Sequence, residues 1–391
     1  MKRGLDERSA DTDDVEGADQ YDPFGRGWFP VGVVTIDAPD AVRGRVYPCE
    51  VWYPAAPQYA GQDLAPQTQD VFPVPGRDTV RSQAAVRDAA AQSGTYPLVV
   101  YSHHSLGHRR AATFLCTHLA SHGYVVAALD HSEVVAEELA PQPGQSAEQR
   151  APRLAAWVAN RVPDIRLLLD DLLRGGAWDI DRRIAEKVRG VTFASNIVPK
   201  SEAVALDPTR IGIVGHSFGG WTALAAPDVE PRIQAVVAHA PGGSSQPRPG
   251  IVPARLAFDW GWDVPTLYLV AEQDVPLPLS GMYELFDRTP GSPQMVILRR
   301  ADHQHFMDEV EHEHEAARAM VFPAEGAWIP KAMLPIGELC SGEQAHLFVR
   351  GLTLCHLDAT LRGHVGARRL LAGDVEADLA ARGVEAMSHK P

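Results

Sequence analysis

Apolar and polar positions follow two rhythms along this chain. Short continuous runs of apolar, often β-branched residues alternate with longer stretches at helical spacing. GVVTID (32–37) and RVYPCEVWYP (45–54) read as two early strands. PLVVYSH (97–103), GYVVAALDH (123–131), TRIGIVGHS (209–217), IQAVVAHAP (233–241), PTLYLVAEQD (265–274) and QMVILRRADH (294–303) repeat the pattern. Runs of this kind predict parallel strands covered on both faces. Helical spacing falls between them, over 109–121, 151–174, 217–226 and 280–289, with a late helix inside 337–364. The alternation predicts an α/β fold with a doubly wound, mostly parallel sheet.

Three stretches interrupt the rhythm. Residues 55–95 are rich in Pro, Gln and Ala and read as a long insertion. Residues 175–208 carry Trp178, Phe193 and Ile197 among charges, as a cap insertion over a pocket or a packed surface segment would. Residues 240–263 are rich in Gly and Pro, then aromatic in AFDWGWD. Long loops at the carboxyl ends of parallel strands are where such sheets keep their sites. The expected organisation is an acidic disordered tail over 1–25, a single domain over 26–365 and a C-terminal extension over 366–391. One large sheet absorbs a length that could otherwise hold two or three domains of ~150 residues.

Charge narrows the classes of partner. The net charge of −14 and pI near 5.6 lack the basic footprint of a nucleic-acid binder. They also disfavour docking on anionic lipid. Cys49, Cys116, Cys340 and Cys355 are scattered without C-x-x-C spacing and read as reduced, buried thiols. The N-terminal residues have no apolar core like that of a signal peptide. No apolar run reaches the ~18 residues of a membrane-spanning helix. The expectation is a soluble cytoplasmic protein.

GHSFGG (215–220) follows the strand RIGIV and opens the helical stretch WTALAA. This is G-x-S-x-G in the context that gives it meaning: strand, sharp turn, helix. The turn strains the backbone at the serine, so glycines are needed two before and two after it. It lifts the Ser217 hydroxyl above the sheet and aims the Phe218 amide at a developing oxyanion. The helix that follows adds its positive end. The alternative is a glycine-rich structural turn. After PLVVYSH comes SHHSLGHRR (102–110), in the place where acyl-transfer sites find a second amide donor. Ser105 and its neighbours are placed to offer it. His103, His104 and His108 suggest a metal, but adjacent residues on an extended chain point opposite ways.

These stretches together, SHHSLGHRR…LASHGYVVAALDH, RVPDIRLLLDDL and DPTRIGIVGHSFGG, resemble the α/β-hydrolase superfamily. The resemblance is strongest to the dienelactone-hydrolase-like and platelet-activating-factor-acetylhydrolase-like esterase branch, and spans about 30–365. It implies a central sheet of about eight mostly parallel strands and a Ser–Asp/Glu–His triad in that chain order. The family loop S-H-G-x-G is changed here, with His104 and Leu106 in place of its glycines. Ser105 is the best match to the family's loop donor, beside Phe218.

The resemblance also implies the acid and the base. Asp274 closes PTLYLVAEQD, where many superfamily members carry the acid. The acetylhydrolase-like members place it one strand earlier; that strand here ends AHAPGG, without a carboxylate. Asp259 and Asp263, in AFDWGWD, are therefore the alternates. Asp228 reads as a helix-end or loop residue. For the base, QMVILRRADHQHF offers His303, which matches the family's H-x-x-F, with His305 as its rival. His118, His122 and His346 read as surface or partly buried residues with local hydrogen bonds.

The segment ADHQHFMDEVEHEHE (301–315) thus divides into a strand exit carrying His303 and a helix extending to Phe322. Phe306, Val310, Ala317, Met320 and Val321 share one face of that helix. His312 and His314, two apart, point ~200° from each other and cannot grip one ion. Glu313 falls on the apolar face, where the sequence shows no partner for it. The expected function is ester hydrolysis by Ser217, His303 and Asp274, with no cofactor and no metal. The expected substrate is a small, neutral, partly apolar ester. Amide, imide or lactone hydrolysis would use the same triad. A non-catalytic ligand-binding hydrolase fold would not need the triad intact.

Overall fold

A computed structural model describes residues 21–142, 144–174, 204–245, 252–322, 324 and 326–389. Within them, two-residue alternation on the strands builds two cores, one on each face of a large sheet. Leu98 and Val100 face one core, and Val99 and Tyr101 face the other. The strands are β1 (Val31–Asp40), β2 (Arg45–Pro54), β3 (Asp70–Pro73), β4 (Val80–Gln83), β5 (Val86–Arg87) and β6 (Gly94–Ser102). They continue as β7 (Val125–Leu129), β8 (Val204–His216), β9 (Ile233–His239), β10 (Thr266–Ala271), β11 (Gln294–Leu298) and β12 (Ala386–His389). The main sheet runs β12-β11-β10-β9-β8-β6-β7-β2-β1-β5, and β3 pairs with β4 in a separate hairpin. Neighbours from β11 to β7 are all parallel. The β7-β2, β2-β1 and β11-β12 pairs are antiparallel.

The eight strands expected from the sequence are all present; the sheet gains short edge strands, β5 and β12, at its two ends. The described helices are α1 (Thr113–Ser121), α2 (Ser132–Val135), α3 (Ala147–Leu173), α4 (Phe218–Ala225), α5 (Leu279–Arg288), α6 (Val310–Ala319), α7 (Ile329–Ala332) and α8 (Gly342–Leu361), of which the short α2 and α7 were not expected. Helices α9 (Val365–Ala372) and α10 (Val375–Ala380) follow. On one face of the sheet, α3 packs Ile165, Leu168, Leu169 and Leu172 with residues of α4 and α5. On the other, α1 contributes Leu115 and Leu119, and α8 contributes Phe348, Val349 and Leu352.

Some boundaries move for physical reasons. Helix α3 begins four residues before its apolar pattern. The Ser146 hydroxyl accepts from the Gln149 amide and the Gln149 side chain accepts from the Ser146 amide, a capping box that starts a polar first turn. The predicted helix through Phe322 ends at Ala319, where Met320 turns extended. Met320 and Val321 are consequently exposed, while Phe306, Val310 and Ala317 are buried. The 55–95 insertion holds the β3-β4 hairpin and β5. Arg87 joins β5 to the sheet through Glu50, fully buried on β2, at 2.6 Å, and bonds Asp70 at 2.6 Å.

The expected tail over 1–25 is packed from Tyr21 onward. Phe24 is buried beside Gly351 of α8, and the Tyr21 hydroxyl donates to Asp358 at 3.0 Å. Residues 1–20, and 175–203 of the candidate cap, lie outside the described residues. The stretch set apart as a C-terminal extension supplies β12, paired to β11 from Met295–His389 to Leu298–Ala386. No described helix is long and apolar enough to cross a membrane.

Phe348, fully buried on α8, tests the packing of the second core. Phe348→Ala is expected to lower the unfolding free energy by about 3–5 kcal/mol in a denaturant titration. A loss under about 1 kcal/mol would contradict this burial.

Candidate active site

The turn after β8 is tight. Ser217 adopts φ 59° and ψ −117°, a left-handed φ rare for a residue with a side chain. The glycines around it are dictated by backbone contact. A Cβ on Gly215 would lie 2.1 Å from the Gly219 carbonyl oxygen, and one on Gly219 would lie 1.9 Å from that of Ser102. The turn is fixed by the Ser217 amide donating to the His239 carbonyl at 2.9 Å and the Gly242 amide donating to the Ser217 carbonyl at 2.9 Å. The side chain of Ser217 is thereby held at the carboxyl edge of the sheet.

Two loops bring groups to it. Asp274 follows β10 and His303 follows β11. His303 Nε2 lies 2.9 Å from Ser217 Oγ, and its Nδ1 lies 2.7 Å from Asp274 Oδ2. The carboxylate only accepts, so Nδ1 carries the proton and Nε2 is left as an acceptor for the serine hydroxyl. Asp274 is 4% exposed, and its other oxygen accepts from the Leu277 amide at 2.8 Å. Burial raises Asp274 above the usual carboxylate range, against the pull of His303. Burial alone would lower His303, but the Asp274 charge and hydrogen bond outweigh it and leave the imidazole above its ordinary value.

The loop after β6 runs alongside. The Ser105 amide meets no acceptor among the described residues. Phe218 is the first residue of α4, so its amide has no intrahelical partner. The other loop histidines do not assemble. His103 and His104 hold their rings 6.5 Å apart at 79°. His104, the residue in place of a family glycine, lies 5.7 Å from the His216 ring, which lies 4.6 Å from that of His303. Burial pushes His104 down to about 3, so this imidazole is neutral. Among the described residues, no group of three His, Cys, Asp or Glu side chains is arranged to hold a metal ion.

The rival histidine has a different environment. His305 Nδ1 lies 2.7 Å from Asp302 Oδ1 and its Nε2 lies 3.1 Å from the Cys340 carbonyl. Nδ1 also lies 3.1 Å from the Asp302 amide, so both nitrogens are taken up by local partners and neither is turned towards Ser217. Burial disfavours a charged ring, but the Asp302 hydrogen bond prevails and pushes His305 up to about 10. The second oxygen of Asp302 lies 2.6 Å from His314 Nδ1. The exit from β11 is thus anchored from both sides of the residue preceding His303. Glu313, unexplained by the helical pattern, faces Arg77 at 2.8 Å and Arg81 at 3.4 Å on the β3-β4 hairpin. Asp259 and Asp263 are exposed and are not bonded to His303.

Sequence reasoning missed the polar residues beneath these loops. Arg161 and Asp164 sit three apart on α3, both fully buried, with Glu133 beside them. The available signal was an arginine and an aspartate on the apolar face of a long amphipathic helix, in RVPDIRLLLDDL.

A strained serine turn after a central parallel strand, an acid after β10 and a histidine after β11 define the α/β-hydrolase fold. The fold has counterparts among known proteins. The family described as platelet-activating factor acetylhydrolase, isoform II, matches residues 76–153, which hold the β6 loop but not Ser217. The platelet-activating factor acetylhydrolase of Cavia porcellus is 26% identical over 156 residues, 37% of this chain and 35% of that protein. The chain therefore matches about a third of the length of that curated relative. A solved ferulic acid esterase from Streptomyces cinnamoneus has a TM-score of 0.61 and 24% identity, over 93% of this chain and 97% of that one. That likeness shows the shared fold.

The Asp302–His305 pair has a defined pH signature. His305 rises on folding, so its contribution is complete below the ordinary histidine value of about 6.5 and fades as pH rises through about 10. Asp302 is held well below the usual range, so its contribution is present above about 3.9 and is lost in acid. Asp302→Asn is therefore expected to destabilise most between about pH 4 and 6.5, by about 3–5 kcal/mol. The measurement is unfolding of both proteins across pH; a difference that grows towards pH 10 would contradict the pairing.

Proposed function

We propose that the chain is a serine hydrolase that cleaves carboxylic esters through an acyl-enzyme. The observation that carries this reading is the hydrogen-bonded line from Asp274 through His303 to Ser217, at 2.7 and 2.9 Å. Ser217 Oγ attacks the ester carbonyl carbon while His303 Nε2 takes the hydroxyl proton. The C–O bond to the alcohol then breaks, and His303 returns the proton to the leaving oxygen. Water, deprotonated by the same nitrogen, cleaves the acyl-serine and regenerates the hydroxyl. Asp274 keeps the imidazole tautomer and balances the imidazolium. The Ser105 and Phe218 amides receive the oxyanion. No step calls for a cofactor.

The names of the two similar proteins, an acetylhydrolase and an esterase, support ester cleavage over amide or lactone hydrolysis. The net charge of −14 disfavours anionic substrates. The substrate class is a small, neutral, partly apolar ester.

Ser217→Ala is expected to cut hydrolysis of p-nitrophenyl esters by at least ~10⁴-fold. Activity within about tenfold of the parent would sink the serine mechanism.

The acid has its own test. Asp274→Asn is expected to cost ~10⁴ in kcat, while Asp259→Asn and Asp263→Asn change it by less than about threefold. Because the base must be neutral, kcat/KM falls as pH drops through the His303 value, which Asp274 holds above about 6.5. A limb below about 6.5 in the parent would contradict the assigned pair.

A further inference from the structure

Arg161 is a fully buried cation, and three of its hydrogen bonds go to the end of β6 and the loop that follows it. It comes from the inner face of α3 and ion-pairs with the buried Glu133. One Nη donates to the His103 carbonyl at 2.7 Å and to Ser102 Oγ at 3.2 Å; the other donates to the His104 carbonyl at 3.1 Å. Its guanidinium carbon stands 4.3 Å over the ring of Phe218. A buried cation needs such pairing to offset its desolvation, and of the guanidinium nitrogens only Nε meets no acceptor among the described residues. Only a planar fork reaches two successive carbonyls, a carboxylate and an aromatic face at once.

The two carbonyls set the direction of the amides that follow them. In a planar trans peptide the N–H points opposite to the C=O. The His104 carbonyl turned towards Arg161 therefore sends the Ser105 N–H the other way, out of the buried network. The Phe218 ring, held under the same guanidinium, fixes the residue that carries the other amide. Behind Arg161 the frame continues. Ser102 Oγ lies 2.9 Å from His131 Nε2, and His131 Nδ1 lies 3.2 Å from Asp164 Oδ2. This second Ser–His–Asp line is wholly buried, out of reach of any substrate, and serves as framework.

We infer that Arg161 is a positioning residue that aims both amides of the oxyanion hole, an inference that rests on the serine-hydrolase reading. Its side chain touches neither substrate nor reacting atoms. It acts through the 103–105 peptides on one side and Phe218 on the other.

The test compares a p-nitrophenyl ester with its thionoester, whose C=S sulfur is a weak hydrogen-bond acceptor. A misaimed hole slows the oxo ester and spares the thionoester. A triad defect or a merely loosened fold slows both together. Arg161→Lys is expected to lower kcat for the oxo ester by ~10²-fold and the oxo-to-thiono ratio by at least ~10-fold. The pH midpoint of kcat/KM should stay in place. Phe218→Leu keeps the ion pair and removes only the ring, so it decides the question if Arg161→Lys does not fold. Its ratio should fall by about threefold or more. A ratio equal to the parent's, in folded Arg161→Lys or failing that in Phe218→Leu, overturns the inference alone. A parent that cleaves neither ester, or a Ser217→Ala variant that retains activity, overturns the hydrolase reading instead.

Discussion

Ser217 can hold φ 59° and ψ −117° only because the chain crosses itself without side chains in the way. Gly219 lies so close to the Ser102 carbonyl that a Cβ would come within 1.9 Å of it. The nucleophile turn and the end of β6 are therefore in backbone contact. Strain of this kind costs on the order of 1–3 kcal/mol and persists only where the surroundings fix it. Here the fixing bonds come from β9, through the His239 carbonyl, and from Gly242 beyond it. Once that contact is made, the 103–107 loop must lie beside the serine. The parallel order of β8, β9, β10 and β11 then delivers Asp274 and His303 to the same sheet edge.

The shell around this edge is built from paired buried charges. Asp302 is shared between His305 and His314, Glu133 is paired with Arg161, and Asp164 accepts from His131 and Ser132. Two of these pairings restrain a loop that carries a site residue. Asp302 is adjacent to His303, and Arg161 grips the peptides next to Ser105. A buried ion pair is weak evidence of stability in itself, but breaking one leaves an uncompensated charge. The frame therefore resists small displacements, and that resistance keeps hydrogen bonds of 2.7 and 2.9 Å aligned on the serine.

Much of this was legible in the sequence because it depends on local rules. The parallel strands showed as continuous apolar runs, and β2 was read to its last residue. G-H-S-F-G between a strand and a helix marked the turn, since only glycine fits at positions 215 and 219. What stayed hidden depends on partners distant in the chain. Glu313 looked misplaced on an apolar face until Arg77 and Arg81 arrived from a hairpin more than two hundred residues earlier. The resemblance favoured His303 over its rival His305. The physical difference between them appears only in the structure, where a His303 ring nitrogen faces the Ser217 hydroxyl and the His305 ring is taken up by Asp302 and the Cys340 carbonyl. Arg161 and Asp164 were not singled out, because a sequence does not reveal what a helix face is pressed against.

The central claim is that Ser217, set in this turn and hydrogen-bonded to His303, is the nucleophile. Covalent trapping addresses it without any knowledge of the natural substrate. The folded protein would be incubated with an aryl phosphonate that reacts with activated serines, then digested and mapped by mass spectrometry. The account expects one stoichiometric adduct, on Ser217, absent from protein unfolded before exposure. No adduct, or an adduct on Ser105 or another serine with Ser217 unmodified, would contradict it.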